Sequence, residues 1–152
     1  MKLSARSSMR RQHGVGIIEV LVAVLILSVG LLGLAGLQLR TLRNNQSALE
    51  RGVAVFETHA IADALRADRI NARAGLFNLD KAAAAPTGTT FRAVVLASWR
   101  ANLINALGPG ATGGVNCNGA LCTIVVEWDD SRGSRDVSDT ALVLTIETQV
   151  QI

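Results

Sequence analysis

The sequence predicts an α+β chain in which one long N-terminal α-helix packs on a small antiparallel β-sheet. Three observations carry this reading. Between Val15 and Leu37 the only polar residues are Glu19 and Ser28. These 23 residues, as a helix, measure about 35 Å at ~1.5 Å per residue, enough to cross a bilayer. Past that run, apolar residues recur at steps of three and four, and no proline interrupts the chain before Gly75. The last third of the chain then holds two stretches of strand-forming sequence, Thr123–Trp128 and Ala141–Ile152.

The chain begins with basic residues, and Met9-Arg10-Arg11-Gln12-His13-Gly14 leads directly into the apolar run. A carboxylate such as Glu19 inside a membrane helix costs roughly 2.5–3.5 kcal/mol on insertion scales, so it calls for a partner. The plainer reading is a tolerated residue that snorkels to the interface. Gly30, Gly33 and Gly36 fit close helix packing or local melting equally with the ordinary abundance of glycine in membrane helices. A conventional secretory signal cut near Leu34-Ala35-Gly36 is the rival, but the run exceeds a typical signal core and its helical pattern continues past it. Arg10-Arg11 lacks the flanking residues of a twin-arginine signal.

After the apolar run, Leu39, Leu42, Gln46, Leu49, Val53, Phe56 and Ala60 line one helix face, extended by Ile61, Ala64 and Leu65. Arg40, Arg43, Glu50, Arg51 and Glu57 fall off that stripe, which predicts that they face solvent. Gly75 is the expected terminator of a helix of roughly 55–60 residues. Leu76 to Thr90, with its alanine run, Pro86 and Thr87-Gly88-Thr89-Thr90, reads as a connector. Phe91 to Leu107 has helical spacing, with Val94, Val95, Trp99, Leu103, Ile104 and Leu107 apolar, and Gly108-Pro109-Gly110 ends it. Gly113 to Gly119 reads as loop. Thr123–Trp128 is a strand, and Asp129 to Arg135 is a turn or hairpin loop. In Ala141–Ile152, Leu142, Leu144, Ile146, Thr148 and Val150 alternate with Val143, Thr145, Glu147 and Gln149. At least two antiparallel strands should therefore pack on the amphipathic half of the long helix.

Composition bounds the function. The 152 residues make one domain's worth of chain, and the 49% hydrophobic content is inflated by the apolar run. The formal charge of +3 is concentrated at the start. Lys2, Arg6, Arg10 and Arg11 all precede Gly14, and the remainder carries 11 basic side chains against 12 acidic, a net of −1. The basicity is thus no sign of nucleic-acid binding. It is a topology signal that keeps the N-terminus cytoplasmic and exports the C-terminal portion. Cys117 and Cys122 are the two cysteines, and in an oxidising compartment a disulfide around Asn118-Gly119-Ala120 is the natural reading, with two free thiols as the alternative. Their spacing is not Cys-x-x-Cys, and His13 and His59 do not complete a metal set.

Other candidate sites carry little chemistry. Gly14-x-Gly16 opens an apolar helix with no preceding strand, so it is not a dinucleotide fingerprint. Gly108 to Gly114 lacks the Lys and Ser/Thr of a phosphate loop. Asp129, Asp130, Asp136 and Asp139 offer oxygen ligands of the kind calcium takes, although a solvated hairpin explains them as well. Trp99 and Trp128 read as core and His59 as a helix-surface residue. No triad, metal box or cofactor motif is present, so the reading is of a chain that is not an enzyme and needs no cofactor.

The segment Gly14-Val15-Gly16-Ile17-Ile18-Glu19-Val20-Leu21 closely resembles the class III signal of type IV pilins and pseudopilins. The resemblance implies a pilin fold. It also implies cleavage by a prepilin peptidase between Gly14 and Val15, methylation of the new Val15 amine, and Glu19 as the fifth mature residue. Val15 stands where the family usually has Phe or Met, and Gly16 where Thr is typical. Initiation at Met9 would give a leader of the short kind common in the family, leaving Met1 to Ser8 as an upstream extension. A free amine at Val15 and the Glu19 carboxylate of a neighbouring helix would attract in a low-dielectric bundle and fix axial register.

Within that family the chain is most similar to PilV-type minor pilins. The shared segments are Glu19-Val20-Leu21-Val22-Ala23, Gly30 to Gln38, Leu42 to Ala48, Ile61-Ala62-Asp63 and Val125-Val126-Glu127-Trp128-Asp129. The implied division is a leader over 1–14, a membrane and filament-core helix over 15–38, and a periplasmic domain over 39–152. The implied life history is insertion in the inner membrane followed by assembly into a pilus at or near its tip, supporting adhesion and twitching motility. Implied partners are other minor pilins, the major pilin, the prepilin peptidase, the inner-membrane assembly platform and a large tip adhesin. A pseudopilin of a type II secretion system shares the same N-terminal grammar. A membrane-tethered periplasmic binding domain, which needs no processing, is the rival of a different class.

Overall fold

The computed structural model describes residues 16–131 and 142–152. Their elements, in chain order, are α1 (Ile17–Ala67), α2 (Arg69–Arg73), α3 (Phe91–Leu107), β1 (Thr112–Asn118), β2 (Leu121–Asp129) and β3 (Val143–Gln151). The three strands form one antiparallel sheet in the order β1-β2-β3. The described residues divide into two compact units, with the boundary between Arg40 and Thr41.

The helix is shorter than its sequence pattern predicts. α1 runs for 51 residues and stops where Asp68 leaves helical geometry at φ −125° and ψ 52°. One further turn, α2, carries the chain to Gly75. There the Leu76 amide donates to the Asn71 carbonyl and the Gly75 amide to that of Ala72, at 3.0 and 2.9 Å. With Gly75 at φ +75°, this is a Schellman termination, which a Cβ at that position would strain.

In the second unit, the face that α1 buries is not the predicted one. Ser47, Glu50, Ala54, Glu57, Thr58, Ile61, Ala62 and Leu65 are buried. Leu42, Leu49 and Phe56 of the apolar stripe are exposed, Phe56 by 69%, and Val53 is half-buried. The expectation that Glu50 and Glu57 face solvent is therefore overturned. The covered positions also recur at three and four, but they are mostly small or polar, which lets the rest of the unit approach the helix closely. Polar groups there are met locally: Ser47 Oγ donates to Asp130 at 2.8 Å, and Thr58 Oγ1 donates to the Ala54 carbonyl at 2.8 Å.

The core lies between the helices and one face of the sheet. Ala54, Ile61 and Leu65 of α1 join Leu96, Trp99, Leu103 and Leu107 of α3 and a strand layer of Val115, Cys117, Cys122, Ile124, Val126 and Trp128. β2 buries every second residue, and its partners Leu144, Ile146 and Val150 on β3 continue the layer half-buried, as the alternation predicts. Fully buried side chains of this size contribute about 1.5–3 kcal/mol each relative to exposure.

The segment predicted as loop at Gly113 to Gly119 is, through Asn118, strand β1. Its glycines answer to packing. A Cβ on Gly113 would lie 2.4 Å from Cη2 of Trp99, and one on Gly114 would lie 3.1 Å from the Leu79 carbonyl oxygen. Glycine inside a strand often marks such an approach. The turn to β2 has two residues, Gly119 at φ +61° and Ala120.

The connector is pinned in place. Leu79 pairs with Val115 on the edge of β1: the Leu79 amide donates to the Val115 carbonyl at 2.8 Å and the Val115 amide to the Leu79 carbonyl at 2.9 Å. Arg100, buried on α3, donates to the Asp80 carbonyl at 2.7 Å and to Thr112 Oγ1 at 2.8 Å. Thr112 Oγ1 in turn donates to the Lys81 carbonyl at 2.7 Å. Burial pushes the Arg100 guanidinium below its ordinary pKa, partly opposed by Asp80. α3 begins where Thr90 Oγ1 accepts from the Ala93 amide, an N-cap.

Candidate assembly site

Residues 17–40 present an apolar surface with no cover. Every residue of this part of α1 is exposed, and the most apolar 18-residue window of the helix has a mean hydropathy of 2.8. Up to Leu37 two side chains break the apolar character, and they differ. Ser28 Oγ donates to the Val24 carbonyl one turn back at 2.7 Å, so the helix itself satisfies it. Glu19 lies in the first turn, where its amide donates to the Gly16 carbonyl at 3.0 Å. Its exposed carboxylate makes no hydrogen bond or ion pair among the described residues. The N-terminal helix dipole favours a negative charge there, and a lipid environment leaves the rest of its solvation to a partner.

A Cβ at Gly30, Gly33 or Gly36 would meet nothing within 4 Å, so in this chain alone these glycines form a shallow open strip. The residues proposed for processing, Gly14 and Val15, lie outside the described residues.

In the second unit, Cys117 and Cys122 face each other across β1 and β2 and are joined by a disulfide. It closes the hairpin at its turn and is itself buried. Trp99 and Trp128 are core, and His59 is exposed on α1. Of the four aspartates considered for calcium, Asp130 is buried against Ser47 and Asp129 accepts from the Ser131 amide at 2.9 Å. Asp136 and Asp139 lie outside the described residues. A concavity of about 540 Å³ sits on the solvent face of the sheet. It is lined by residues including Asn116, Thr123, Lys81 and Glu147, and beside it Lys81 pairs with Glu127. No nucleophile with a base is assembled there.

Sequence reasoning did not single out one feature of α1. Glu57 is 8% exposed and lines a cleft against α3. Burial raises its carboxyl pKa, and a hydrogen bond from Asn102 partly offsets this. The available signal was the second helical stripe, Ser47, Glu50, Ala54, Glu57 and Ile61, which apolar periodicity passes over.

Residues 9–35 match the prokaryotic N-terminal methylation motif. No curated protein and no solved structure matches the chain. The motif spans the basic segment, Gly14, Glu19 and most of the exposed apolar helix. Proteins that carry it as pilins or pseudopilins are structural subunits. The chain thus bears the N-terminal signature of type IV pilin-like proteins, joined to an α+β architecture consistent with the pilin fold.

Proposed function

We propose that this chain is a minor pilin that primes or supports assembly of a type IV pilus, at or near its tip. The observation that carries the reading is the methylation motif laid over an exposed apolar helix whose one carboxylate, Glu19, has no partner among the described residues. A simple anchor has no use for that carboxylate, whereas an assembling helix does. In this reading residues 1–14 are a leader removed by a prepilin peptidase and Val15 carries the methylated amine. Residues 15–38 hold the chain in the inner membrane, with 39–152 on the periplasmic side, and later lie in the filament core. Glu19 pairs with the Val15 amine of a neighbouring subunit. Other minor pilins, the major pilin, the assembly platform and a large tip adhesin are the partners, and surface attachment and twitching are the outputs.

Clean deletion in the native cell tests it, scoring surface pili and exported type II enzymes side by side. Loss of pili with secretion intact is the expected result. Loss of secretion with pili intact would make the chain a pseudopilin and leave the N-terminal mechanism standing. A cell unaffected in both would favour a tethered periplasmic domain.

A further inference from the structure

The chain closes one edge of its sheet and leaves the other open. On β1, Leu79 takes up the amide and carbonyl of Val115. The Asn78 side chain does the same for Cys117: Oδ1 accepts from the amide at 2.7 Å and Nδ2 donates to the carbonyl at 3.3 Å. The connector thus stands where a further strand would lie. β3 is the opposite edge, nine residues long and paired with β2 without a break in register. Just beyond its two ends, the Asp130 amide donates to the Leu142 carbonyl and the Ile152 amide to the Ala120 carbonyl, each at 2.9 Å. In an antiparallel ladder this turns the backbone groups of the even-numbered residues toward β2. Val143, Thr145, Glu147, Gln149 and Gln151 turn theirs outward, where they meet no backbone partner among the described residues.

The apolar layer also runs out at this edge. Val126 and Trp128 of β2 are fully buried, whereas Ile146 and Leu144 opposite them on β3 are only half-buried, as is Val150. A further strand beside β3 would extend that layer over them. The usual protections of an open edge are missing: Val143–Gln151 holds no proline and no lysine, and its pairing has no bulge.

Glu147 narrows the choice of occupant. It is the middle residue of β3 and its one charge, and it is exposed without an ion pair among the described residues. A second copy laid antiparallel along the whole of β3 would set Glu147 against Glu147, and like charges directly opposite destabilise a strand pair. A cationic residue at that point is favoured instead.

We propose that the edge of β3 takes up an extended segment of a different protein as an added strand. That segment carries Lys or Arg opposite Glu147, flanked by apolar residues that pack beside Leu144, Ile146 and Val150. Main-chain hydrogen bonds to the outward groups supply affinity, and the alternating side chains select the partner. The proposal stands on the sheet alone and goes beyond the assembly reading.

The test places the photo-crosslinking residue p-benzoylphenylalanine at position 149 of the full chain in the native cell. Adducts are scored alone and combined with Thr145→Pro or Glu147→Lys. The Thr145 amide points away from β2, so proline there removes an outward donor and spares the β2–β3 ladder. Cooperative thermal unfolding of each variant checks that it folds, and Glu147→Lys, on the exposed face, decides alone if the proline variant does not. The expected result is one discrete adduct with a different protein, its linked peptide holding Lys or Arg between two apolar residues. Its yield should fall about tenfold or more with Thr145→Pro and several-fold with Glu147→Lys. No adduct, an adduct with a second copy or with residues 132–141 of the same chain, a linked peptide without that pattern, or a yield unchanged in a folded variant would overturn the proposal. Absence of the wild-type chain from sheared filaments strikes only at the assembly reading.

Discussion

Gly113 of β1 lies hard against the ring of Trp99 on α3, so that even a methyl group there would stand 2.4 Å from Cη2 and 2.8 Å from Leu103 Cδ1. Both side chains are core, and Trp99 is held at its far end by the Glu57 carbonyl, so neither can give way cheaply. Gly113→Ala is expected to destabilise the second unit by about 3 kcal/mol or more. Gly110→Ala, where a Cβ meets nothing within 4 Å, serves as the control. Urea midpoints of the two variants compare them directly, and equal midpoints would refute this packing.

The same contact explains one place where the sequence misleads. Two glycines followed by Val115-Asn116-Cys117-Asn118-Gly119 look like a loop when judged by strand propensity. They form a strand because α3 and the connector leave no room for side chains at Gly113 and Gly114. By contrast, α3 itself, β2 and the alternation of β3 were legible, since periodicity and the breaker Gly108-Pro109-Gly110 act locally. The buried face of α1 was not. Hydrophobic periodicity finds the apolar stripe and assigns it to the chain's own core, but here Leu42, Leu49 and Phe56 stay open while Ser47, Ala54 and Ala62 take the contact. The Cys117–Cys122 bond could be read directly, as could the place of Glu19 in the first turn of the exposed apolar helix. Glu57 could not, because its burial depends on α3 lying across it.

Arg100 joins α3, the connector and β1 through the Asp80 carbonyl and Thr112 Oγ1. Arg100→Ala removes both part-buried contacts, with an expected loss of about 1–3 kcal/mol. Hydrogen exchange should show the segment from Leu79 to Lys81 losing protection well before β2. A uniform loss across the sheet would contradict the clamp.

The disulfide closes a loop of only five residues' separation, so its constraint on the unfolded chain is modest. Replacing both Cys117 and Cys122 by alanine is expected to cost about 2 kcal/mol. The fold should survive, with the loss read as a lower denaturation midpoint, and outright unfolding at room temperature would show that the bond does more than this.

For Glu57 the sign of the pH dependence comes from its raised pKa. The folded state holds the proton to higher pH than the unfolded chain, so folding loses stability as pH rises from the ordinary glutamate range of about 4.5 through the raised value. Glu57→Gln should remove that loss. The melting temperatures of wild type and variant are expected to converge at low pH and to separate in favour of the variant as pH rises, then run parallel. A gap that is constant across the range would contradict the buried, desolvated carboxylate.

At the N-terminus, Glu19→Ala is expected to leave insertion and processing intact and to reduce recovery in sheared pili about tenfold or more, because the Val15 amine of the neighbouring subunit loses its anionic partner in a low-dielectric bundle. Gly14→Ala is expected to block processing. Immunoblots of membrane and sheared fractions read both, and normal incorporation of Glu19→Ala would remove the register mechanism.

The mass of the N-terminal peptide in sheared filaments tests most directly whether this chain is a processed, assembling subunit. The expected peptide begins at Val15 and carries one added methyl group. A chain confined to the membrane fraction, with Met1 or Met9 still attached, would contradict that reading.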